Sequence, residues 1–283
     1  MHHPSRDHER REPGLPPILR DKDCDRASAF TPENLLREAR RQKGLAEGRV
    51  PAVCVLDPDG DIVRSLVTNG GVERDTEWAC YHTELFRFQH LGTTLGIIGG
   101  AVGAPFAVLV AEQLFASGCR LLISITSSGR IAPMGDPPYF VLIEKALRDE
   151  GTSYHYMPPS EYASLRPELR ERLADAFTAL PLSVHFGATW TTDAPYRETE
   201  PAIERARTAG ILAVEMEAAA LYALSEARQY RIVCLAHVTN QMATIEGDFE
   251  KGEAGGSHQA LQVIAAVVGA ISPPHPVSGP PES

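Results

Sequence analysis

Residues 93–129 contain the feature that most limits how this chain can fold. The apolar segment 93–98 runs into a glycine-rich stretch at 99–105, and a helix-forming segment at 106–116 and a second apolar segment at 119–126 follow. A strand, a helix and another strand in this order form a crossover, which makes the two strands parallel. Such sheets bind ligands at the carboxyl ends of their strands. We therefore expect the glycine stretch and the polar residues 127–129, interpreted as loops, to form a site at one edge.

Apolar strands and helix-forming segments alternate along the rest of the chain. Further strands are predicted at residues 50–56, 62–67, 139–143, 183–188, 211–215 and 231–238, and helices at 31–44, 167–180, 201–209, 218–228 and 257–271. This alternation predicts an α/β fold, with one domain built on a central, mixed and mostly parallel sheet flanked by helices. We place that domain at residues 29–271 and expect loose tails at 1–28 and 272–283.

Charge and cysteine content exclude several classes of partner. The chain has 27 Lys and Arg against 37 Asp and Glu, a net charge of −10. It has no basic surplus to neutralise nucleic-acid phosphates, so we expect no nucleic-acid partner. No run reaches the ~18 consecutive apolar residues of a membrane span, so we expect no membrane partner either. Five scattered cysteines without CxxC spacing indicate a reducing, cytoplasmic location and no metal site.

Two carboxylates stand at a strand-to-helix junction. Glu215 and Glu217 flank Met216, between the apolar run 211–214 and the alanine-rich helical segment that follows. Carboxylates at the mouth of an apolar junction are costly to bury without partners, which favours a binding site. The alternative is that they only stabilise the helix N-terminus through its dipole.

Four stretches resemble one known family. They are Val214-Glu-Met-Glu-Ala-Ala-Ala-Leu-Tyr222, Gly99-Gly-Ala-Val-Gly-Ala-Pro105, Ser124-Ile-Thr-Ser-Ser-Gly129 and Val238-Thr-Asn240. Together they resemble the nucleoside phosphorylases, a family that includes uridine phosphorylase, hexameric purine nucleoside phosphorylase and the methylthioadenosine nucleosidases. The resemblance covers about residues 50–271 and implies that family's fold. It also implies cleavage of the N-glycosidic bond of a nucleoside, with transfer of ribose to phosphate.

The resemblance implies further properties of the protein. The partners would be a nucleoside and phosphate, with phosphate as co-substrate and no cofactor. The protein would be a homodimer or homohexamer, with sites at subunit interfaces. Glu217 would bind the ribose hydroxyls and stabilise an oxocarbenium-like transition state. Met216 would pack on the sugar, with core filling as the alternative, and Glu215 would support backbone or sugar contacts.

The residues expected to bind phosphate depart from the family pattern. Ser124 stands where the family usually carries an arginine, the residue best suited to bidentate phosphate binding. Arg130, Arg64 or Arg87 could take its place. Alternatively, water replaces phosphate and the protein is a nucleosidase, or the anion site has changed its ligand. Further candidate phosphate contacts are Gly100, Ser124, Thr126, Ser127 and Ser128.

The base end departs as well. Asn240 stands where purine-cleaving members carry an aspartate, and an amide cannot act as a general acid. This resembles the pyrimidine branch, although that branch's Gln and Arg pair has no clear match beyond Arg197 or Gln241. Asp193 could donate a proton if Trp190, itself a candidate substrate contact, and its neighbours raised its pKa. An Asx turn before the following proline is the alternative.

Two histidines complete the candidate set. His155, in the polar segment 146–156, could stack on a base or move a proton, or face solvent from a loop. His82 could contact the sugar across a subunit interface. The acidic segment from residue 245 is interpreted as a solvated lid. A protein that binds nucleosides without cleaving them is the remaining alternative.

Overall fold

The computed structural model describes residues 14–241 and 251–271. The outer parts of both predicted tails, 1–13 and 272–283, and residues 245–250 of the predicted lid lie outside the described residues. Residues 14–28 contact the domain, since Lys22 approaches His155 at 3.2 Å. The domain limits stay a prediction.

The described residues form an alternating series of strands and helices. The helices are α1 (Pro32–Lys43), α2 (Asp61–Thr68), α3 (Ala104–Ala116), α4 (Pro167–Leu173), α5 (Glu200–Thr208), α6 (Ala218–Arg228) and α7 (Ser257–Ile271). The strands are β1 (Val53–Asp57), β2 (Val72–Arg74), β3 (Phe86–His90), β4 (Thr93–Gly99), β5 (Leu121–Arg130), β6 (Tyr139–Asp149), β7 (Tyr162–Ser164), β8 (Val184–Thr192), β9 (Ile211–Glu215) and β10 (Ile232–Asn240).

The strands form one mixed sheet in the order β10-β6-β8-β9-β5-β1-β4-β3-β2, with β7 beside β6. Strand β10 also pairs with β5, which closes β10, β6, β8, β9 and β5 into a small barrel. The long ladders β5–β10 and β6–β8 are parallel. The predicted α/β fold with a central mixed sheet is confirmed.

The register brings four strand ends to one edge of the sheet. Asp57 at the end of β1 lies opposite Gly99 at the end of β4. Within β5, Gly129 lies opposite Asn240, the last residue of β10. The glycine stretch after β4 and the polar end of β5 therefore share the edge at which the sequence placed a site.

Residues 62–67 were predicted to form a strand and instead lie in α2. The Asp57 carboxylate accepts a hydrogen bond from the Val63 amide at 3.0 Å, and Gly60 precedes the helix with φ of 74°. Ile62 is buried, and Val63 and Leu66 pack beside it on the core. Apolar residues at these spacings suit one face of a helix, so a helical period was misinterpreted as an extended one.

Two strands extend beyond their predicted ends. Residues 127–129 continue β5, because Gly129 pairs with Val214 of β9 as well as with β10. Strand β8 likewise continues to Thr192. Closure of the barrel extends these strands through polar residues, and the sequence pattern does not reveal that closure.

The apolar helices pack on the sheet. One apolar stretch, Ala254–Ile271, has the length and composition of a membrane span, and 44% of it is buried. Its side chains Val263, Ile264 and Val267 are fully buried in the main core. This helix therefore packs as part of the main core.

Candidate active site

Glu215 organises the junction between β9 and α6. Its side chain is buried, and one carboxylate oxygen accepts hydrogen bonds from the hydroxyls of Thr189 at 3.1 Å and Thr191 at 2.5 Å. The other oxygen accepts from the backbone amides of Glu217 and Ala218, each at 2.7 Å. Burial raises the pKa of Glu215, and these four donors oppose the rise. One oxygen thus holds the start of α6 in place, and the other is bound by β8.

The alternation of side chains along β8 explains which residues reach Glu215. Thr189 and Thr191 lie on one face of the strand, so Trp190 lies on the other. Trp190 packs in a separate apolar cluster with Ile211 and donates its indole N–H to Asp149 at 2.9 Å. The structure therefore does not bring Trp190, a predicted substrate contact, to the carboxylates.

Glu217 is the buried carboxylate with unused hydrogen-bonding capacity. Its side chain is only 1% exposed, and Oε1 accepts a hydrogen bond from the Gly103 amide at 2.7 Å. Gly103 has φ of 89°, a left-handed conformation that favours glycine. Oε2 is buried and has no hydrogen-bond partner among residues 14–241 and 251–271. Met216 between the two acids is half-buried.

The pKa of Glu217 is raised from its ordinary value of 4.5 to about 8, first by burial and next by the negative charge of Glu215. The Gly103 amide opposes this rise. Buried polar atoms are normally paired, so an unpaired carboxylate oxygen needs an explanation. A ligand that presents hydroxyl groups would satisfy Oε2 and favour the ionised carboxylate.

Acidic residues line the neighbouring part of the edge. The segment Asp57-Pro-Asp-Gly-Asp61 follows β1. Asp59 accepts a hydrogen bond from the Ser127 amide at 2.7 Å. Burial raises the pKa of Asp57 to about 7. Lys251 forms ion pairs with Asp61 and, at 3.6 Å, with Asp59.

The three arginines that could grip phosphate have other partners. Arg64 forms an ion pair with Asp61 and donates to the Asp59 carbonyl at 3.0 Å. Arg87 lies on β3, where it pairs with Asp75 at 2.7 Å and donates to a backbone carbonyl. Arg130 donates to the Gly135 carbonyl at 3.2 Å and to the Gln241 side chain. Each of the three arginines is therefore already paired with other groups. None of them presents unpaired donors to an anion at the Ser127 amide.

The other predicted anion contacts divide into two groups. Thr126 and Ser127 lie at the edge, and Thr126 is close enough to Glu217 to lower its pKa. Gly100 also lies at this edge, but its amide donates to the Asp57 carbonyl at 3.1 Å. Ser124 and Ser128 are buried within β5.

The predicted base contacts are dispersed. Asn240 is buried at the end of β10 and donates to the Thr239 hydroxyl at 3.1 Å. Asp193 is exposed and accepts from the Gly151 amide at 2.8 Å, and Arg197 is also exposed. The structure therefore places Asn240 near the sheet edge and leaves the segment around Asp193 on the surface.

The two candidate histidines lie at the periphery. His155 is exposed and shares a cavity of about 560 Å³ with Asp193, Pro105 and Tyr156, beside α3. His82 is exposed and approaches the ring of Phe106 edge-on, with 6.4 Å between centroids.

Sequence reasoning missed the acidic segment and His237, which line one small cavity at the sheet edge together with Thr126 and Ser127. Residues 57–61 lie between the predicted strands 50–56 and 62–67 and were given no role in the site, although alternating acids after an apolar strand are a usable signal. His237 lies inside an apolar strand pattern, where nothing distinguishes it from a core residue. Across the described ranges, no group of three or more His, Cys, Asp or Glu has the geometry to hold a metal ion.

Comparison with known proteins identifies the family. The sequence profile of the phosphorylase superfamily matches residues 53–270. The chain belongs to this superfamily. The match covers both carboxylates, the glycine stretch, the acidic segment and the end of β10.

Individual superfamily members are distant. A uridine phosphorylase of Thermococcus kodakarensis is 26% identical over 232 residues, which is 74% of this chain and 82% of the relative. A guanosine phosphorylase of Halorubrum lacusprofundi is 25% identical over 59% of this chain and 66% of its own length. A DeoD-type purine nucleoside phosphorylase of Bacillus cereus is 28% identical over 54% of this chain, again with 66% of its own length covered. The last two matches thus span just under two thirds of the relatives.

Solved structures support the fold. The crystal structure of a uridine phosphorylase from Vibrio fischeri superposes with a TM-score of 0.66 at 21% sequence identity, covering 85% of this chain and 98% of the other. A second structure of that enzyme, with 6-hydroxy-1-naphthoic acid, gives a TM-score of 0.64 over 80% of this chain and 91% of the other. The superfamily architecture is therefore shared over almost the whole length of these enzymes.

Proposed function

We propose that the protein cleaves the N-glycosidic bond of a nucleoside, as a pentosyltransferase of the nucleoside phosphorylase type. The observation that carries this proposal is the buried Glu217, whose Oε2 lacks a partner in the described parts of the chain, at the sheet edge where α/β proteins bind ligands. Membership of the superfamily and the phosphorylase names of the three relatives support it.

The chemistry follows from the charge of this site. Ribose hydroxyls that donate to Glu217 would favour its ionised form, despite the pKa of about 8 in the free protein. As the bond to the base breaks, the ribose ring gains oxocarbenium character, and a nearby carboxylate stabilises that positive charge. The half-buried Met216 would pack against the sugar. Glu215 acts as a positioning residue, because it holds the backbone that carries Glu217.

The acceptor and the base are assigned by the same reasoning. Phosphate is the proposed acceptor because the relatives are named phosphorylases. Thr126 and Ser127 are its proposed contacts at the edge. Asn240, as an amide, favours a pyrimidine base over a 6-aminopurine. No cofactor takes part in the proposed reaction, and we propose a cytoplasmic homodimer or homohexamer.

A panel of purine and pyrimidine nucleosides, incubated with the protein and phosphate and assayed for free base, tests this function. We expect release of base from at least one nucleoside. Glu217→Ala should abolish the release and leave the circular dichroism spectrum unchanged. Glu226→Ala, at an exposed position of α6, is the matched control and should retain activity. Retained activity in Glu217→Ala would contradict the assignment, and thermal stabilisation by a nucleoside without turnover would indicate a binding protein.

A further inference from the structure

A polar cavity lies where the last turns of α1 and α3 meet the segment that precedes β1. Its volume is about 500 Å³, which is within the range of sites that bind small molecules. Its wall is formed by Arg40 of α1, by residues 47–49 and by residues 115–118 at the end of α3. The cavity therefore has the size and the polar lining of a ligand site.

Helix α3 separates this cavity from the candidate active site. Gly103, whose amide donates to Glu217, precedes the helix, whereas Phe115 and Ser117 of the cavity wall lie at its other end. The helix has 13 residues and a rise of 1.5 Å per residue makes it about 20 Å long. A ligand in this cavity would therefore occupy a second site, apart from the proposed ribose site.

Two arginines of the cavity wall have no acidic partner in the described parts of the chain. The guanidinium of Arg40 donates to the Gly48 carbonyl at 3.4 Å, and its buried Nε donates to no group in those parts. Arg49 is exposed, and its aliphatic stem lies against Gly118. Glu47 lines the same cavity, so the wall carries one positive charge in excess. Guanidinium groups bind phosphate and carboxylate oxygens well, which favours an anionic ligand.

Ser117 gives an independent indication of a ligand. Its side chain is 5% exposed, and its hydroxyl has no partner among residues 14–241 and 251–271. Its backbone is fixed, because its amide donates to the Gln113 carbonyl at 3.0 Å and its carbonyl accepts from the Val50 amide at 3.1 Å. A buried hydroxyl without a partner is costly, and an oxyanion would supply the missing acceptor.

An aromatic ring adjoins these donors. Phe115 lines the cavity and stacks on Tyr230, with 3.9 Å between ring centroids and 11° between the ring planes. The stacking holds the Phe115 ring in place as a partly buried apolar surface. The cavity is also much larger than a phosphate group alone. Both observations favour a ligand with an organic group beside its charged oxygens.

We propose that this cavity binds a phosphate monoester with a small organic group. Arg40 and Arg49 bind the phosphate oxygens through charge-assisted hydrogen bonds, and the Ser117 hydroxyl donates to a third oxygen. The organic group packs against Phe115. This binding does not depend on any reaction at Glu217.

Titration of the full chain with phenyl phosphate, followed by calorimetry in a buffer free of phosphate, tests the proposal. We expect binding to wild type and at least about 10-fold weaker binding to Arg49→Gln, since a hydrogen bond between charged groups is lost. Arg41→Gln is the matched control, because Arg41 is exposed on α1 and pairs with Glu38 at 2.8 Å. It should bind phenyl phosphate as wild type does. No binding to wild type, or equal affinity in wild type and Arg49→Gln, would overturn the proposal.

Two further measurements define the ligand and its contacts. Inorganic phosphate should bind less tightly than phenyl phosphate, and equal affinity would overturn the assignment to a monoester. Ser117→Ala should bind phenyl phosphate about 10-fold less tightly without loss of stability, because the hydroxyl that it removes has no partner in the described chain. Unchanged affinity in this variant would exclude Ser117 from the site. Base release by Arg49→Gln should equal that of wild type, so failure of this proposal is distinguishable from failure of the proposed function.

Discussion

Glu217→Gln should change the stability of the protein in opposite directions at low and high pH. The native pKa of Glu217 is about 8, against an ordinary value of 4.5. At pH 4 the carboxyl group of Glu217 is protonated in both the folded and the unfolded chain, so its burial lowers the free energy of unfolding very little. Above pH 4.5 the unfolded chain ionises freely while the folded chain does not. The cost to the folded state grows until the pH passes 8.

The size of the effect follows from this shift. One pKa unit corresponds to about 1.4 kcal/mol, so the rise costs the folded state about 5 kcal/mol at pH 9. Glutamine removes that cost and keeps an oxygen for the Gly103 amide. Its NH₂ group, however, replaces the unpartnered Oε2 and costs about 1–3 kcal/mol if it stays unpaired. We expect Glu217→Gln to be about 2–4 kcal/mol more stable than wild type at pH 9.

Urea denaturation of both proteins at pH 5 and pH 9 measures this difference. At pH 5 the variant should be equal to or less stable than wild type, and at pH 9 more stable. Glu215→Gln is the matched control. It places an NH₂ group among donors that already face both oxygens, so it should destabilise at both pH values. If the difference in unfolding free energy between Glu217→Gln and wild type is the same at pH 5 and pH 9, the carboxyl group of Glu217 does not have a raised pKa in the folded protein.

Three further changes test the framework around the site. The buried guanidinium of Arg148 donates to Ser160 at 2.7 Å and to surrounding carbonyls, which would lose their partner in Arg148→Met. A denaturant titration should therefore show a loss of about 3–5 kcal/mol of unfolding free energy in this variant. An unchanged unfolding free energy would contradict the importance of those hydrogen bonds. The buried hydroxyl of Tyr222 donates at 2.5 Å to a β6 carbonyl. In the same titration, Tyr222→Phe should therefore lose about 1–3 kcal/mol of unfolding free energy. An unchanged midpoint would argue against this hydrogen bond. The amide of Gly103 holds Glu217, and the φ of 89° at this residue is strained for alanine. Gly103→Ala should therefore lower base release at least about 10-fold, with a small loss of melting temperature. Full activity in this variant would show that the amide is dispensable.

The part of the structure that follows hydrophobic periodicity could be predicted from the sequence. The crossover from β4 through α3 to β5, and the junction of β9 with α6, appear close to their expected positions. Long apolar runs interrupted by glycine leave few other arrangements. The prediction for segment 62–67 was wrong because its apolar spacing, which suits one face of a helix, was interpreted as extended; the structure adds that the Asp57 carboxylate accepts from the α2 backbone.

The sequence predicts which kinds of residue form the site, but it does not predict the hydrogen-bond partners of each one. The Glu-Met-Glu pattern indicated two acids with different roles, but only the structure shows that Glu215 is saturated by four donors while Glu217 has an unused oxygen. The placement of Asp59 and His237 beside one another depends on β1, β5 and β10 meeting at one edge. No local pattern encodes that meeting, since it arises from closure of the barrel.

The most direct test of the central claim is the affinity of the protein for a ribonucleoside compared with its 2′,3′-dideoxy counterpart, measured by calorimetry in wild type and in Glu217→Ala. A hydrogen bond to a charged group contributes about 1.5–3 kcal/mol, so wild type should bind the ribonucleoside at least about 10-fold more tightly. Glu217→Ala should bind the two compounds nearly equally. The same preference for the ribonucleoside in both proteins would show that Glu217 does not bind the ribose hydroxyls.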